Sequence, residues 1–381
     1  MREMIRAARA ATMTGPVLED AALIHDGETV LAVGPFSDLG PGFEGPVRDL
    51  GDATLAPAVV NAHTHLELSH LGGKTREGEG FLGWVEHLLS LPLYEPDEAR
   101  VREELAGLKA WGVGLVADIS TRNAARMAGI LEDSGLFFVS FLETIGDGAP
   151  PSPAGAGPRG LRSLAGHSLY TTDEPVLRAA KAATEARNLP FSLHLAEHAE
   201  EEAVVRGGDS VFLSLLRQRG RLRNYVSPGV SPVARAAALG LLGPGTLAVH
   251  CVRLDDEDIR LLADSGTFVC LCPRSNAFIT GGRAPWERLL AAGIPLCLGT
   301  DSLASNRDLN PWNEARYLLA RFQGELGLED VLAMLTVHPA RALKMDHLLG
   351  TLEPGKAARF SVVPGDIEAL TRRPHGPRKG A

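Results

Sequence analysis

The chain has 381 residues, of which 45% are hydrophobic and 22% charged, enough to bury one large core with a smaller appendage. A net charge of -9 gives no basic footprint for a polyanion, so nucleic acid and anionic membrane are poor partners and a small neutral or cationic molecule fits better. No window supplies the roughly 18 consecutive apolar residues of a membrane span, and the amino terminus lacks the pattern of an export signal, so the expectation is a cytoplasmic protein.

Residues 1–55 alternate short apolar runs with turns, and AALIHDGETVLAVGP places two strands around the hairpin dipeptide Asp26-Gly27. From residue 56 the pattern changes to apolar runs separated by helical stretches: GVGLVADIS, LFFVSFLE, FSLHLAE, GTLAVHCV, TFVCLCP and IPLCLGTD. Near-continuous apolar strands alternating with helices belong to a parallel sheet buried on both faces, and this many of them predict a (β/α)8 TIM barrel over 56–347. LGTLEPGKAARFSVV returns to strand and turn chemistry, so 348–368 is expected to join 1–55 in a small β-sandwich-like domain, with 369–381 a flexible tail. Cys251, Cys270, Cys272 and Cys297 lie in apolar runs with no CxxC pair, which favours buried free thiols.

In APAVVNAHTHLELS an apolar strand ends in His63 and His65, whose two-residue spacing points both imidazoles to one face. Taken alone, such a pair also suits two surface histidines. His194 ends FSLHLAE, with Glu197 three residues on, although Glu197 also fits the solvated face announced by Glu200, Glu201 and Glu202. His250 ends GTLAVHC and Asp301 ends IPLCLGTD. A buried apolar strand has no ordinary use for a terminal carboxylate. Four strands that each end in His or Asp match the way barrels gather catalytic groups at the carboxyl ends of their strands, and imidazoles with a carboxylate suit Zn²⁺ or Fe²⁺.

PAVVNAHTHLE, HSLYT, HLAE, VHC, CPRSN and LGTDSLASN, in this order, resemble the amidohydrolase superfamily, in particular its cytosine, guanine and adenosylhomocysteine deaminase branch. HTHLELS is similar to the form found in aminodeoxyfutalosine deaminases of menaquinone biosynthesis. The resemblance covers almost the whole chain. It implies one divalent metal ion held by His63, His65, His194 and Asp301, with His250 beside the water that the metal activates, Asp301 taking a proton and Glu197 serving a ring nitrogen and the leaving ammonia. The region LAGHSLYTT has no lysine at a strand end, which argues against a two-metal centre. The resemblance further implies substrate contacts from Glu67, Ser69, Trp84, His167, Tyr170, Arg274, Ser275 and Asn276. For Trp84 simple helix packing, and for Asn276 helix capping, are equal alternatives.

The expected activity is therefore hydrolytic deamination of an aminated purine nucleoside-type substrate, with 6-aminodeoxyfutalosine or an adenosine derivative first. The alternatives are hydrolysis of another C–N or C–Cl bond of a heterocycle (guanine, cytosine, a triazine) and a non-catalytic scaffold. The expected partner is a small molecule, with a homodimer as the assembly left open. His194 and His250 lie further apart than one strand and helix require, so the 206–245 segment is expected to hold an extra helix or active-site loop.

Overall fold

A computed structural model describes residues 1–208, 210–219 and 225–371. Eight strands run parallel in chain order around the molecule: β1 (Val59–Thr64), β2 (Val113–Ser120), β3 (Phe137–Thr144), β4 (Gly160–Gly166), β5 (Phe191–Leu195), β6 (Thr246–His250), β7 (Phe268–Leu271) and β8 (Leu296–Leu298). Every residue of β1, β2, β6 and β8 is buried, as expected of strands covered on both faces. Small and branched side chains such as Val60, Ala62, Leu115, Val139, Leu247 and Cys297 form a core cluster inside this tier, while Val59, Val116, Phe138 and Phe191 belong to the cluster that includes the helices.

The barrel closes where β8 meets β1. The carbonyl of His63 accepts from both Thr300 N and Asp301 N at 3.0 Å, and Thr64 pairs with Asp301 in a parallel bridge. Gly299 permits this approach, since a Cβ there would lie 2.7 Å from His63 Cβ. The bonds that shut the barrel therefore place Asp301 beside the histidines.

The terminal segments build the separate small domain. Glu3–Ala10, Leu18–His25, Val30–Pro35, Val47–Asp49, Thr54–Pro57 and Phe360–Val362 form one mixed six-stranded sheet in which Phe360–Val362 pairs antiparallel with Thr54–Pro57. The predicted hairpin is present: Asp26 Oδ1 accepts from Glu28 N and Thr29 N at 2.9 and 2.7 Å, and Gly27 takes a φ of 103°.

Among the helices, α1 (Gly80–Leu89) follows β1. Between β5 and β6 come α2 (Ala199–Arg206), α3 (Val211–Gln218) and α4 (Pro232–Ala238). The long interval after His194 thus holds more than one helix, and 209 and 220–224 within it lie outside the described residues. Helices α5 (Pro273–Thr280) and α6 (Pro311–Leu319) follow β7 and β8, and α7 (Gly365–Thr371) ends the described chain. Helix α7 crosses the predicted tail boundary at Ala369 because the fully buried Ile367 anchors it. The rest of the expected tail, 372–381, lies outside the described residues. All four cysteines are buried and unpaired, and no helix among the described residues is long and apolar enough to cross a membrane.

Candidate active site

The strand-end groups converge. Nε2 of His63 lies 3.3 Å from Nε2 of His194 and 3.9 Å from Asp301 Oδ1, while His65 Nε2 is 3.6 Å from the same oxygen. The ligand atoms of His63, His65 and Asp301 fall within 4.8 Å of one another, as do those of His63, His194 and His250. Three of these groups are aimed by their neighbours. His194 donates Nδ1–H to the carbonyl of His167 at 2.9 Å, and His250 donates Nδ1–H to Asn276 Oδ1 at 2.9 Å, so both turn a bare Nε2 to the centre. Asp301 Oδ2 accepts from Ser275 Oγ at 2.6 Å and Ser305 Oγ at 2.9 Å, leaving Oδ1 to face the imidazoles. His250 and Asp301 occupy the left-handed backbone region, with φ of 75° and 59°, a local strain that the surrounding bonds must sustain.

The electrostatics suit a cation. Burial holds His63 well below the ordinary imidazole range and brings His65 and His194 to about 4, so all three are neutral lone-pair donors near pH 7. Burial pushes Asp301 up, but His65, His250 and the Ser275 hydroxyl outweigh it and hold the carboxyl below its usual range. The Nδ1 of His63 is buried with no hydrogen-bond partner among the described residues. Neutral imidazoles packed against an ionised carboxylate are a poor arrangement by themselves and a good one around a divalent ion. These residues fit such an ion.

Beside them, Glu197 Oε1 lies 3.7 Å from His250 Nε2. Burial raises the Glu197 carboxyl to about 7, where it can both give and take a proton. Glu197 therefore belongs to the site and not to the solvated face of α2.

Several residues expected to touch substrate are also tied into the fold. Glu67 accepts from Thr121 N and Thr121 Oγ1 at 2.8 and 2.9 Å and from Asn123 N at 3.3 Å, bracing the loop after β2. Arg274 is locked in a bidentate pair with Asp308 at 2.9 Å, with Glu314 behind it. Tyr170 is buried, and its hydroxyl lies 2.9 Å from His198 Nε2. Ser275 holds Asp301, and Asn276 makes no cap for α5 but bonds His250. Ser69 is buried, with no partner for its Oγ among the described residues. His167 stays at the site, its Nδ1 2.6 Å from Thr171 Oγ1 and its ring 5.2 Å from that of His194. Trp84 donates Nε1–H to the carbonyl of Ala304 at 2.9 Å, which seats α1 on the loop after β8.

Two carboxylates were missed. Glu143, at the end of β3, is buried 3.5 Å from His194 Nδ1, and its ligand atom groups with those of His167 and His194. Asp118, in β2, accepts from Leu66 N at 2.9 Å and fixes the backbone just after His65. The criterion that selects Asp301, a carboxylate closing an apolar run, also selects both.

Comparison with known proteins agrees with this geometry. A profile of the amidohydrolase family matches residues 54–374. The chain belongs to this family. A relative from Nitratidesulfovibrio vulgaris (Miyazaki F), named 5-methylthioadenosine/S-adenosylhomocysteine deaminase, is 31% identical over 94% of this chain and 82% of its own. Among solved structures, the aminofutalosine deaminase of Helicobacter pylori, in complex with methylthio-coformycin, shares the fold of this amidohydrolase. It aligns with a TM-score of 0.82 at 24% identity, covering 94% of this chain and 91% of its own. An adenosine deaminase from Xanthomonas campestris with bound zinc aligns with a TM-score of 0.79 at 25% identity, covering 98% and 87%.

Proposed function

We propose that this chain, a hydrolase of carbon–nitrogen bonds, deaminates an adenosine-type nucleoside, exchanging the 6-amino group for oxygen with release of ammonia. The observation that carries the reading is the Glu197–His250 pair beside the His/Asp cluster, because replacing an aromatic amine requires a proton donor for the ring as well as an activated water. The deaminase names of the relatives support it.

His63, His65, His194 and Asp301 would hold one Zn²⁺ or Fe²⁺, which supplies Lewis acidity and brings the pKa of water towards neutrality. Glu197 Oε1 presents a proton to a purine ring nitrogen, and the carboxylate so formed receives the remaining proton of the added oxygen and passes it to the departing amine. His250, fixed by Asn276, offers Nε2 to the attacking oxygen. Asp301 Oδ1 takes the proton that this oxygen sheds. His167 and Trp84 border the substrate. Within the class, 6-aminodeoxyfutalosine is a second candidate beside adenosine derivatives altered at the 5′ position, and the run HTHLELS favours it.

The test is ammonia release by the metal-loaded protein from adenosine, methylthioadenosine, adenosylhomocysteine, aminodeoxyfutalosine, guanine and cytosine. Turnover of a purine nucleoside is expected, and activity confined to guanine or cytosine would overturn the reading. Glu197→Gln should keep its metal and lose about 10³-fold in kcat.

A further inference from the structure

Glu201 is one of three consecutive glutamates opening α2, where solvated carboxylates are ordinary, yet it is only 1% exposed. Its Oε2 accepts from Glu197 N at 2.8 Å. The backbone it holds is strained, since Ala196 sits in the left-handed region with φ 52°. The neighbouring strand end pins the same turn: Cys251 N donates to Leu195 O at 3.0 Å, and Val252 N and Arg253 N donate to Ala196 O at 2.9 and 2.8 Å. The turn bearing Glu197 and the turn bearing His250 thus form one unit, with Glu201 beneath the first of them. A leucine or alanine would fill this place at less cost in desolvation, so a buried carboxylate here calls for a reason.

We propose that Glu201 is a positioning residue for Glu197: by receiving the Glu197 N–H at the end of the strained turn it fixes the backbone from which the Glu197 carboxyl reaches His250 and the reacting ring. This rests on the reading of Glu197 as proton carrier. A buried backbone N–H without an acceptor is costly, and relaxation of the turn by about 1 Å would misplace the carboxyl enough to lose on the order of a hundredfold in rate. His194 and Asp301 are held by other bonds, from His167 and Ser275, and His63 and His65 lie on a different strand.

The experiment is a double-mutant cycle on the metal-loaded enzyme with the nucleoside it turns over best. Glu201→Ala should lower kcat about a hundredfold with KM within threefold and full metal content. Glu201→Gln, which keeps one acceptor oxygen, should recover about tenfold of that loss. In a Glu197→Gln background, Glu201→Ala should cost less than threefold, because there is no longer a proton carrier to place. An equal loss in both backgrounds, a loss of metal, or unchanged kcat in the single variant would overturn the proposal. A fully active Glu197→Gln would instead sink the reading on which it rests, so the two failures are distinguishable.

Discussion

The mouth of the barrel has two unlike halves. On the strand-end side, His63, His65, His194, His250, Glu143, Glu197 and Asp301 are packed together, and His194, His250 and Asp301 are aimed by the His167 carbonyl, the Asn276 amide and the Ser275 hydroxyl. On the lid side, Phe81 of α1 and Phe212 and Leu216 of α3 join Tyr170, Val204 and Ile279 in an apolar cluster, with Trp84 packed against it. Phe81 stacks on His198 with ring centroids 3.4 Å apart. Few polar bonds tie this cover down: Thr75 Oγ1 and Trp84 Nε1 both donate to Ala304 O, and Arg307 pairs with Glu77. The strand ends fix charges in a rigid frame and so determine the chemistry. The lid offers apolar area and shape, the kind of surface on which binding strength and selectivity depend.

If the halves divide the work in this way, substitutions should separate cleanly in kinetics. The largest effect belongs to Asp301→Ala, which removes the carboxylate set against the neutral imidazoles of His63 and His65. Turnover should fall on the order of 10⁴-fold and metal content should drop well below one ion per chain, read by ammonia release and elemental analysis. A variant that kept its metal and its rate would end the assignment of chemistry to this half.

A smaller effect is expected across the mouth. Trp84→Phe keeps the ring and deletes the N–H bond to Ala304, loosening α1 without touching the reacting groups. KM should rise about tenfold with kcat within threefold, as for lost uniform binding. A fall in kcat at constant KM would mean that the lid helps place the reacting groups, and the division would blur.

The same division explains what the sequence discloses. A His or Asp that closes an apolar strand is visible because strand ends in a barrel share one rim, so His63, His65, His194, His250 and Asp301 emerge from pattern alone, and the helices of the long β5–β6 interval emerge from its length. Pairings over long separations do not. The Glu67 carboxylate meets Thr121 54 residues away, Arg274 meets Asp308 34 away and Tyr170 meets His198 28 away, and nothing in their motifs announces these bonds. Glu201 was hidden by its company, since two flanking glutamates disguise a buried carboxylate as part of a solvated face.

The smallest effect concerns stability. The strand-end half buries carboxyl groups and the lid half buries none of comparable depth in its aromatic cluster, so pH dependence of folding should belong to the first. Glu314, in α6, is wholly buried and accepts from Arg274 N at 2.9 Å and Asn306 Nδ2 at 2.8 Å. Burial raises its carboxyl to about 8 from an ordinary 4.5, with Arg274 opposing. A carboxyl raised on folding binds its proton more tightly in the native state. Its contribution is therefore complete below about pH 4.5 and is lost as pH rises through 8, at up to about 1.4 kcal/mol per pH unit for one group. Burial raises Asp118 to about 7 and Glu201 to about 8, so both act in the same direction. Metal-free protein should melt at progressively lower temperature from pH 6 to pH 8. Glu314→Gln, which copies the protonated carboxyl with one acceptor and one donor edge, should shallow that slope by about 2 °C per pH unit. Trp84→Phe should leave it unchanged, and a slope altered by the lid substitution but not by Glu314→Gln would reverse the comparison.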